Sequence, residues 1–225
     1  MADSLTRVRR HPERGSNDKD LLLDILESGL VCQIAFQLEG QPFIIPMSYY
    51  NDPNFIYFHG SPAARISNVL RSVISVAISV LELNGLVIAK GMADNSINYR
   101  SVVIFGRPEE VSSEEEKLTL FKEWIDHLMP GRKQNTEMPN HDELKNVSLF
   151  KMKLDQFSVK VRKGGPLEVR KNPEIWSGVV PFSYRFHNPE FSSSAQIPGY
   201  VKYSNGWKTE VKQECFGSSL EFKKD

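Results

Sequence analysis

The residues best suited to bind a ligand follow a short apolar stretch at 55–58. Positions 59–62 read His-Gly-Ser-Pro, and a hydroxyl residue followed by proline is typical of the start of a helix. Arg65 follows a few residues later. Glycine lets the backbone approach a ligand closely, and a guanidinium group pairs with phosphate through two hydrogen bonds. The spacing predicts either an anion site or a plain strand–turn–helix joint, and these residues alone favour the joint.

Two further polar groups border apolar strands. The segment 95–101 (Asn-Ser-Ile-Asn-Tyr-Arg-Ser) precedes an apolar stretch, where it would line a ligand cleft or form an ordinary loop. Lys160 and Arg162 are two residues apart, so in a strand their side chains point to the same face. That pair would form an anion clamp with Arg65 if its face met the 59–62 turn, and a solvated surface otherwise.

Motifs of hydrolytic and metal enzymes are missing from the sequence. It has no Gly-x-Ser-x-Gly elbow, no His-Glu-x-x-His pair and no P-loop. His59 is the one histidine at a predicted strand end beside a glycine, and a structural role competes with a catalytic one for it. Cys32 and Cys215 lie far apart, which is unlike a zinc site, and Cys32 falls in an apolar run. No metal ion is expected.

The composition of the sequence limits the classes of partner and the cellular location that we expect for the protein. The 28 Lys and Arg residues balance the 28 Asp and Glu residues, so net charge does not favour nucleic acid or an anionic membrane. No apolar stretch reaches the ~18 residues of a membrane span, and the N-terminal region lacks the apolar core of a signal peptide. We therefore expect a cytoplasmic protein with neither nucleic acid nor membrane as a partner.

Short strands dominate the elements that position these residues. Alternating or aromatic-rich stretches predict six strands, at 30–38, 42–50, 55–58, 73–81, 86–91 and 98–107. Asn84-Gly85 predicts a hairpin between the fourth and fifth of them, and Pro46 makes the second an edge or interrupted strand. A further hairpin is expected at 147–162. The short connections predict a mainly β fold, an antiparallel sheet closing into a barrel, with a few peripheral helices.

Helices are expected after Ser61, at 20–28 and at 117–128. Asn17 or Asp18 would cap the second of these, and Ser113 the third. The predicted organisation is an extended arm at 1–17, a barrel domain at 18–165, and an irregular appendage at 166–225 that packs on the barrel or on a partner subunit.

The ordered set of motifs is similar to a known family. Its members in this sequence are 58–61 (Phe-His-Gly-Ser), Arg65, 98–106 (Asn-Tyr-Arg-Ser-Val-Val-Ile-Phe-Gly), and Lys160 with Arg162. The segments 10–15 (Arg-His-Pro-Glu-Arg-Gly) and 176–181 (Trp-Ser-Gly-Val-Val-Pro) extend it. The set resembles the flavin-nucleotide-binding relatives of pyridoxamine 5′-phosphate oxidase, in particular the branch of nitroimidazole-reductase-like proteins. The similarity covers residues 9–182.

The resemblance implies a homodimeric, six-stranded Greek-key split β-barrel with FMN in a cleft between subunits. The phosphate would be held by His59, Gly60, Ser61 and Arg65, joined by Lys160 and Arg162. Pro46, Met47 and Ser48 would run beside the isoalloxazine ring, and the ribityl or ring side would be lined by Asn98, Tyr99 and Ser101. Family members often carry His at the position of Asn95, so a catalytic or haem-ligating role for that position is put in question.

The function implied is that of an FMN-dependent oxidoreductase, pyridoxamine phosphate oxidase-like or nitroreductase-like, acting on a small molecule. The flavin would supply the redox chemistry. Catalytic residues stay unassigned, with His59 and Tyr99 as the candidates. Two alternatives are a non-catalytic flavin or haem binding or sensing protein, and a barrel that serves only for dimerisation, because a fold does not decide a function.

Overall fold

The computed structural model describes residues 5–72, 74–167 and 170–184, together with Pro198 and Val201. Within these ranges the strands are β1 (Gly15–Ser16), β2 (Val31–Leu38), β3 (Gln41–Asn51), β4 (Phe55–Gly60), β5 (Val76–Ile88), β6 (Ser96–Gly106), β7 (Glu109–Glu110), β8 (Ser148–Lys153), β9 (Gln156–Arg162) and β10 (Gly178–Pro181). The helices are α1 (Lys19–Ser28), α2 (Arg65–Arg71), α3 (Glu114–Leu128) and α4 (His141–Lys145). Short 3-10 helices occur at Pro12–Arg14, Met92–Asp94 and Arg132–Gln134.

The strands are hydrogen-bonded in the order β1-β9-β6-β5-β2-β3-β4-β8-β7, and β10 pairs with β5. β2 pairs antiparallel with β3 over its whole length, from Val31 opposite Ser48 to Leu38 opposite Gln41. β4 pairs antiparallel with both β3 and β8. The predicted class, mainly antiparallel β with a few helices, is confirmed.

Side chains of β2 and β3 alternate between two faces. The inner face carries three pairs of residues that lie opposite one another, namely Cys32 and Met47, Ile34 and Ile45, and Phe36 and Phe43. The outer face carries the residues between them: Val31, Gln33 and Ala35 on β2, and Ile44, Pro46 and Ser48 on β3. The β2 members of the inner face are buried, whereas Val31 and Ile44 are 52% and 68% exposed. The inner face therefore belongs to the core.

Helix α3 covers the outer side of β4 and β8. Its Trp124 is buried in a cluster with Tyr57, Val111 and Leu149. Tyr57 lies opposite Tyr50 across β3 and β4, and their rings stack at 5.7 Å. The apolar contact surface of these aromatic rings attaches α3 to the sheet.

Two helix caps confirm the sequence prediction. Asp18 caps α1, since its carboxylate accepts hydrogen bonds from the backbone N–H groups of Asp20 and Leu21. Ser113 caps α3 by accepting from the Glu116 N–H at 3.3 Å. Both side chains satisfy N–H groups that have no partner within the helix itself.

The hairpin predicted at Asn84-Gly85 is wrong. β5 runs through both residues without a turn, so the two expected strands on either side are one. β10, distant in sequence, pairs here, with Pro181 opposite Gly85. A Cβ on Gly85 would lie 3.0 Å from the Val180 carbonyl oxygen. Because Gly85 has no side chain, the backbone of β10 can lie close to it, and the glycine serves this packing and not a turn.

The helix expected to start at Ser61 also differs from the prediction. α2 begins at Arg65, and Ala64 occupies the N-cap position without a side-chain hydrogen bond. Ser61 instead belongs to a turn, in which its carbonyl oxygen accepts a hydrogen bond from the Ala64 N–H at 3.0 Å. The turn is therefore longer than the Ser-Pro pattern indicates.

The chain forms two compact units. Unit 1 comprises Met1–Glu82 and Ser101–Lys160, and unit 2 comprises Leu83–Arg100 and Val161–Asp225. In unit 1 the predicted N-terminal arm contributes β1, with Gly15 opposite Lys160. In unit 2 part of the predicted appendage forms β10. Apart from Pro198 and Val201, the appendage beyond residue 184 lies outside the described residues.

Candidate functional site

The turn between β4 and α2 forms a narrow backbone surface at Gly60. A Cβ at this position would lie 3.2 Å from Ser67 Oγ and 3.8 Å from Met47 Cε. Ser67, which is buried, donates a hydrogen bond from Oγ to the Ser61 carbonyl oxygen at 2.7 Å. This bond fixes the turn, and the exposed Ser61 hydroxyl stays at the surface. The glycine thus lets the backbone of β4 lie close to Ser67 of α2 and to Met47 of β3.

Arg65 is an exposed cation at the first position of α2. The structure shows no hydrogen bond or ion pair from its guanidinium group to the described residues. The guanidinium lies over the ring of Phe43, whose centre is 5.3 Å from Cζ. The donors of the guanidinium are thus available to an anion, for which their planar fork is well suited.

His59 points away from Gly60, because neighbouring residues of a strand face opposite sides. Its ring packs edge-on against Trp124 at 4.7 Å and Phe121 at 6.0 Å, both on α3. Nδ1 is buried and has no hydrogen-bond partner among the described residues. Burial lowers the pKa of His59, so the ring is neutral near pH 7. A phosphate at Gly60 would meet the backbone of His59 and not its imidazole.

Replacing His59 with phenylalanine is expected to make the fold less sensitive to acid. An unfolded histidine titrates near pKa ~6.5 and the folded one lower, so below that pH the unfolded state binds more protons. Stability therefore falls as the pH drops, by at most about 1.4 kcal/mol per pH unit from this group.

Thermal unfolding measured between pH 7.5 and 5 tests this expectation. Phenylalanine keeps the contact with Trp124, and the loss of stability on acidification should be smaller in the variant. An equal or larger loss would show that His59 is not the group responsible.

The three residues of β3 predicted to flank the ring system fall on both faces of the strand. Met47 lies on the inner face, with Cε close to the position of a Gly60 Cβ. Pro46 and Ser48 are exposed on the outer face. The β3–β4 pairing begins at Tyr49, so Pro46 interrupts no hydrogen bond to β4. Their contact with a flavin ring stays a prediction.

A separate contact joins β6 and β9 in unit 1. The Ser101 hydroxyl donates to the Lys160 carbonyl oxygen at 3.3 Å. This bond occupies the Ser101 side chain and leaves the Lys160 ammonium without a recorded partner among the described residues. The structure therefore places Ser101 and Lys160 together, while their roles toward a cofactor are untested.

Unit 2 contains a buried polar network around Arg162. Asn98 and Arg162 are 1% and 7% exposed, and the Arg162 guanidinium donates to Asn98 Oδ1. It also donates to the carbonyl oxygens of Gly164 at 3.4 Å and Gly165 at 3.5 Å. Asn98 in turn donates from Nδ2 to the Gly164 carbonyl oxygen at 3.1 Å. These bonds fix the end of β9, and Tyr99 is half-buried beside Asn98 in sequence.

Asn95 closes the loop between β5 and β6. Its Oδ1 accepts a hydrogen bond from the Ala89 N–H at 2.9 Å, and its Nδ2 donates to the Met92 carbonyl oxygen at 2.8 Å. Both ends of the amide are thus engaged by the backbone of its own loop. An asparagine here acts as a turn residue.

Metal-ligand clusters are missing from the part of the chain that the structure describes. It includes no group of three or more His, Cys, Asp or Glu side chains arranged to hold an ion. Cys32 is a buried free thiol, as expected, and burial raises its pKa to about 12. Such a thiol is inert toward metals and oxidants. None of the described helices has the length and apolar character needed to cross a membrane.

Phe43 and Ser67 are the site residues that sequence reasoning missed. Phe43 lies opposite Phe36 in the β2–β3 register. The approach of Arg65 to the Phe43 ring depends on where α2 begins, and Ser67 could be placed only once the 61–64 turn was known. Neither contact has a signature in local sequence.

Comparison with known proteins gives the family. The family model described as pyridoxamine 5′-phosphate oxidase matches residues 18–161, more than half of the chain. The chain belongs to this family. None of the curated proteins compared with the sequence matches it. The matched range contains β2 to β6, α2 and the turn at Gly60, so the candidate phosphate site lies within it.

Solved structures show the same split-barrel fold. The flavocytochrome Anf3 from Azotobacter vinelandii is 26% identical with a TM-score of 0.82, and the alignment covers 89% of this chain and 96% of that one. An FAD and haem binding protein from Mycobacterium smegmatis is 23% identical with a TM-score of 0.79, covering 85% and 97%. A protein assigned to 5-nitroimidazole antibiotic resistance in Bacteroides thetaiotaomicron is 22% identical with a TM-score of 0.56, covering 65% and 86%. The predicted family and fold are confirmed.

Proposed function

We propose that this member of the pyridoxamine 5′-phosphate oxidase family binds a flavin nucleotide, FMN, and uses it as an oxidoreductase on a small molecule. The observation that carries the proposal is the similarity to a flavocytochrome, which spans 89% of the chain at 26% identity. A flavocytochrome by its name contains a flavin. The family match over residues 18–161 supports the same cofactor class.

The β4–α2 turn fits a phosphate group. Gly60 has no side chain, and a Cβ there would fill the space beside Ser67 Oγ. Ser61 is exposed and offers a hydroxyl, and Arg65 offers a guanidinium that no described residue occupies by hydrogen bonding. A glycine backbone, a hydroxyl and an arginine are groups that bind phosphate. We assign the phosphate to these three residues.

The bound flavin would supply hydride or electron transfer. The protein's part is to bind and orient the flavin. The neutral ring of His59 packs against Trp124 and Phe121 on the far side of β4. His59 is therefore poorly placed to exchange protons with a substrate at Gly60. Tyr99 is the remaining candidate, and its role belongs to this proposal.

Haem is the second candidate cofactor, because the name flavocytochrome also denotes a haem protein. The two cofactors are not exclusive. The Asn95 amide is occupied within its own loop, so a residue other than Asn95 would have to hold the haem. The alternative function is flavin or haem binding or sensing without turnover.

Loading with each cofactor tests the proposal. The purified protein is incubated separately with FMN and with haemin, passed through a desalting column, and its absorbance spectrum recorded. We expect retained flavin bands after FMN and their bleaching by NADPH or NADH. A Soret band retained alone would favour the haem reading, and loss of both ligands on the column would remove the cofactor proposal.

A homodimer with FMN in the cleft between subunits is part of the proposal. The outer face of β2 and β3 supports it, because Val31 and Ile44 are large apolar side chains exposed there. Leu81 on β5 is 58% exposed as well. Apolar residues on a sheet face are frequent at interfaces between subunits. A cytoplasmic location is also proposed, since the sequence contains no apolar stretch of the ~18 residues that a membrane span needs.

Ile44→Asp is expected to shift the protein from dimer to monomer. The substitution would place a charge in the centre of an apolar contact, where desolvation of an unpaired carboxylate is costly. Sedimentation velocity of the wild type and the variant measures the change. Lys122→Glu, at an exposed position of α3, is the control and should stay dimeric. A wild type that sediments as a monomer would remove the dimer proposal.

A further inference from the structure

We propose that Phe43 is a positioning residue that holds the Arg65 guanidinium in place for the phosphate of the flavin. The inference rests on the flavin site proposed above and deepens it. Phe43 lies on β3 of unit 1, on the same face as Met47. It therefore shares one face of the strand with the residue that borders Gly60.

The guanidinium group of Arg65 lies over the ring of Phe43. Cζ lies 5.3 Å from the ring centre, which is within the range of a cation–π interaction. The guanidinium is exposed and has no hydrogen bond or ion pair with the described residues. A free arginine side chain samples many rotamers, and ordering it on binding weakens affinity. The aromatic ring restricts that sampling before the ligand arrives.

Phe43 is itself held by the sheet. Its ring stacks on Phe36 with centres 5.4 Å apart and planes 11° from parallel. Phe36 is buried and lies directly opposite Phe43 in the register of β2 and β3. The contacts form a series from the core through Phe36 and Phe43 to Arg65. The paired strands β2 and β3 thereby determine the position of the Arg65 guanidinium.

This arrangement leaves the donors of the guanidinium free. A cation–π contact uses the charge of the group and does not consume its N–H bonds. By contrast, Arg71 at the other end of α2 spends its N–H groups on Glu110, at 2.8 and 2.9 Å. Arg71 is locked by a carboxylate, whereas Arg65 is oriented by a ring and can still take a phosphate by two hydrogen bonds.

Affinities for FMN and riboflavin separate a positioning role from a purely structural one. Both dissociation constants are measured by equilibrium titration for the wild type, Phe43→Leu, Phe43→Tyr and Arg65→Ala. Phe43→Leu should weaken FMN binding by about fivefold, as expected for one exposed cation–π contact, and leave riboflavin within twofold. Phe43→Tyr, which keeps the ring, should retain the wild-type preference for FMN. In an Arg65→Ala background, Phe43→Leu should have no further effect on FMN.

Each outcome of the titrations bears on the inference. Equal weakening of FMN and riboflavin in Phe43→Leu, or an undiminished preference for FMN, would overturn it while leaving the flavin site intact. A wild type that binds FMN no better than riboflavin would remove the phosphate site, and the role of Phe43 with it. Should Phe43→Leu fail to fold, loss of the FMN preference in a folded Phe43→Tyr would overturn the inference.

Discussion

Arg65→Glu is expected to abolish phosphate-dependent flavin uptake, with FMN affinity falling by about 100-fold or more. The substitution removes the exposed guanidinium at the start of α2 and places a negative charge where a dianionic phosphate would bind. The loss of a charge-assisted hydrogen bond and the new repulsion act in the same direction. Because Arg65 makes no recorded hydrogen bond within the described chain, the thermal stability of the apoprotein should change little.

Arg107→Glu is the matched control for this experiment. Arg107 is also an exposed arginine of unit 1, and its Nε donates to Ser75 Oγ at 3.4 Å. The same reversal of charge there should leave FMN affinity within about threefold, since exposed charges at a distance are screened by salt. FMN affinity unchanged in Arg65→Glu, or lowered equally by both substitutions, would remove Arg65 from the site.

Arg162→Met should destabilise the fold by about 2–4 kcal/mol. Arg162 is 7% exposed and donates to Asn98 and to the carbonyl oxygens of Gly164 and Gly165. Methionine fills a similar volume but leaves the buried Asn98 Oδ1 without this donor, and an unsatisfied buried acceptor is costly. Chemical denaturation of the apoprotein measures the difference.

Lys163→Met provides the comparison for Arg162, since Lys163 is exposed at the next position. Its replacement should alter the free energy of unfolding by less than about 0.5 kcal/mol. If Arg162→Met left stability unchanged and instead lowered FMN affinity, Arg162 would be a cofactor ligand and not a structural cation. Arg65 and Arg162 are thus distinguished by the quantity that changes: FMN affinity for Arg65→Glu, and the free energy of unfolding for Arg162→Met.

Most strands and the caps were predictable from sequence because they rest on local patterns. The hairpin expected at 147–162 is wrong, since β8 pairs with β4 and β7, and β9 lies between β1 and β6. Alternation in β2 separates buried Cys32, Ile34 and Phe36 from exposed Val31 and Gln33, as a half-buried strand requires. Asp18 and Ser113 cap helices through bonds to residues two or three positions away. Interactions over two or three positions can therefore be predicted from a short stretch of sequence.

The remaining features depend on distant parts of the chain. Asn84-Gly85 has the composition of a hairpin, but pairing with β10 keeps it extended. Equally, the spacing of Lys160 and Arg162 predicts two cations on one face. Arg162 is instead buried and donates a hydrogen bond to Asn98, which precedes it by more than fifty positions. Partners of this kind are chosen by tertiary packing, and spacing within one strand does not identify them.

The candidate site was predictable in part for the same reason. Gly60, Ser61 and Arg65 are close in sequence, so their proximity followed from the motif alone. The orientation of His59 toward Trp124 required the position of α3, and the placement of Arg65 over Phe43 required the position of α2 relative to β3. The sequence thus indicated candidate residues that lie close together in the chain, and it did not indicate the direction of their side chains.

The most direct test of the central claim is an equilibrium titration of the apoprotein with FMN and, separately, with riboflavin. The two ligands share the isoalloxazine ring and ribityl chain, and they differ in the phosphate that we assign to Gly60, Ser61 and Arg65. We expect FMN to bind at least about 30-fold more tightly than riboflavin, as for about 2 kcal/mol from charge-assisted phosphate contacts. Equal affinities for the two ligands, or no binding of FMN, would contradict it.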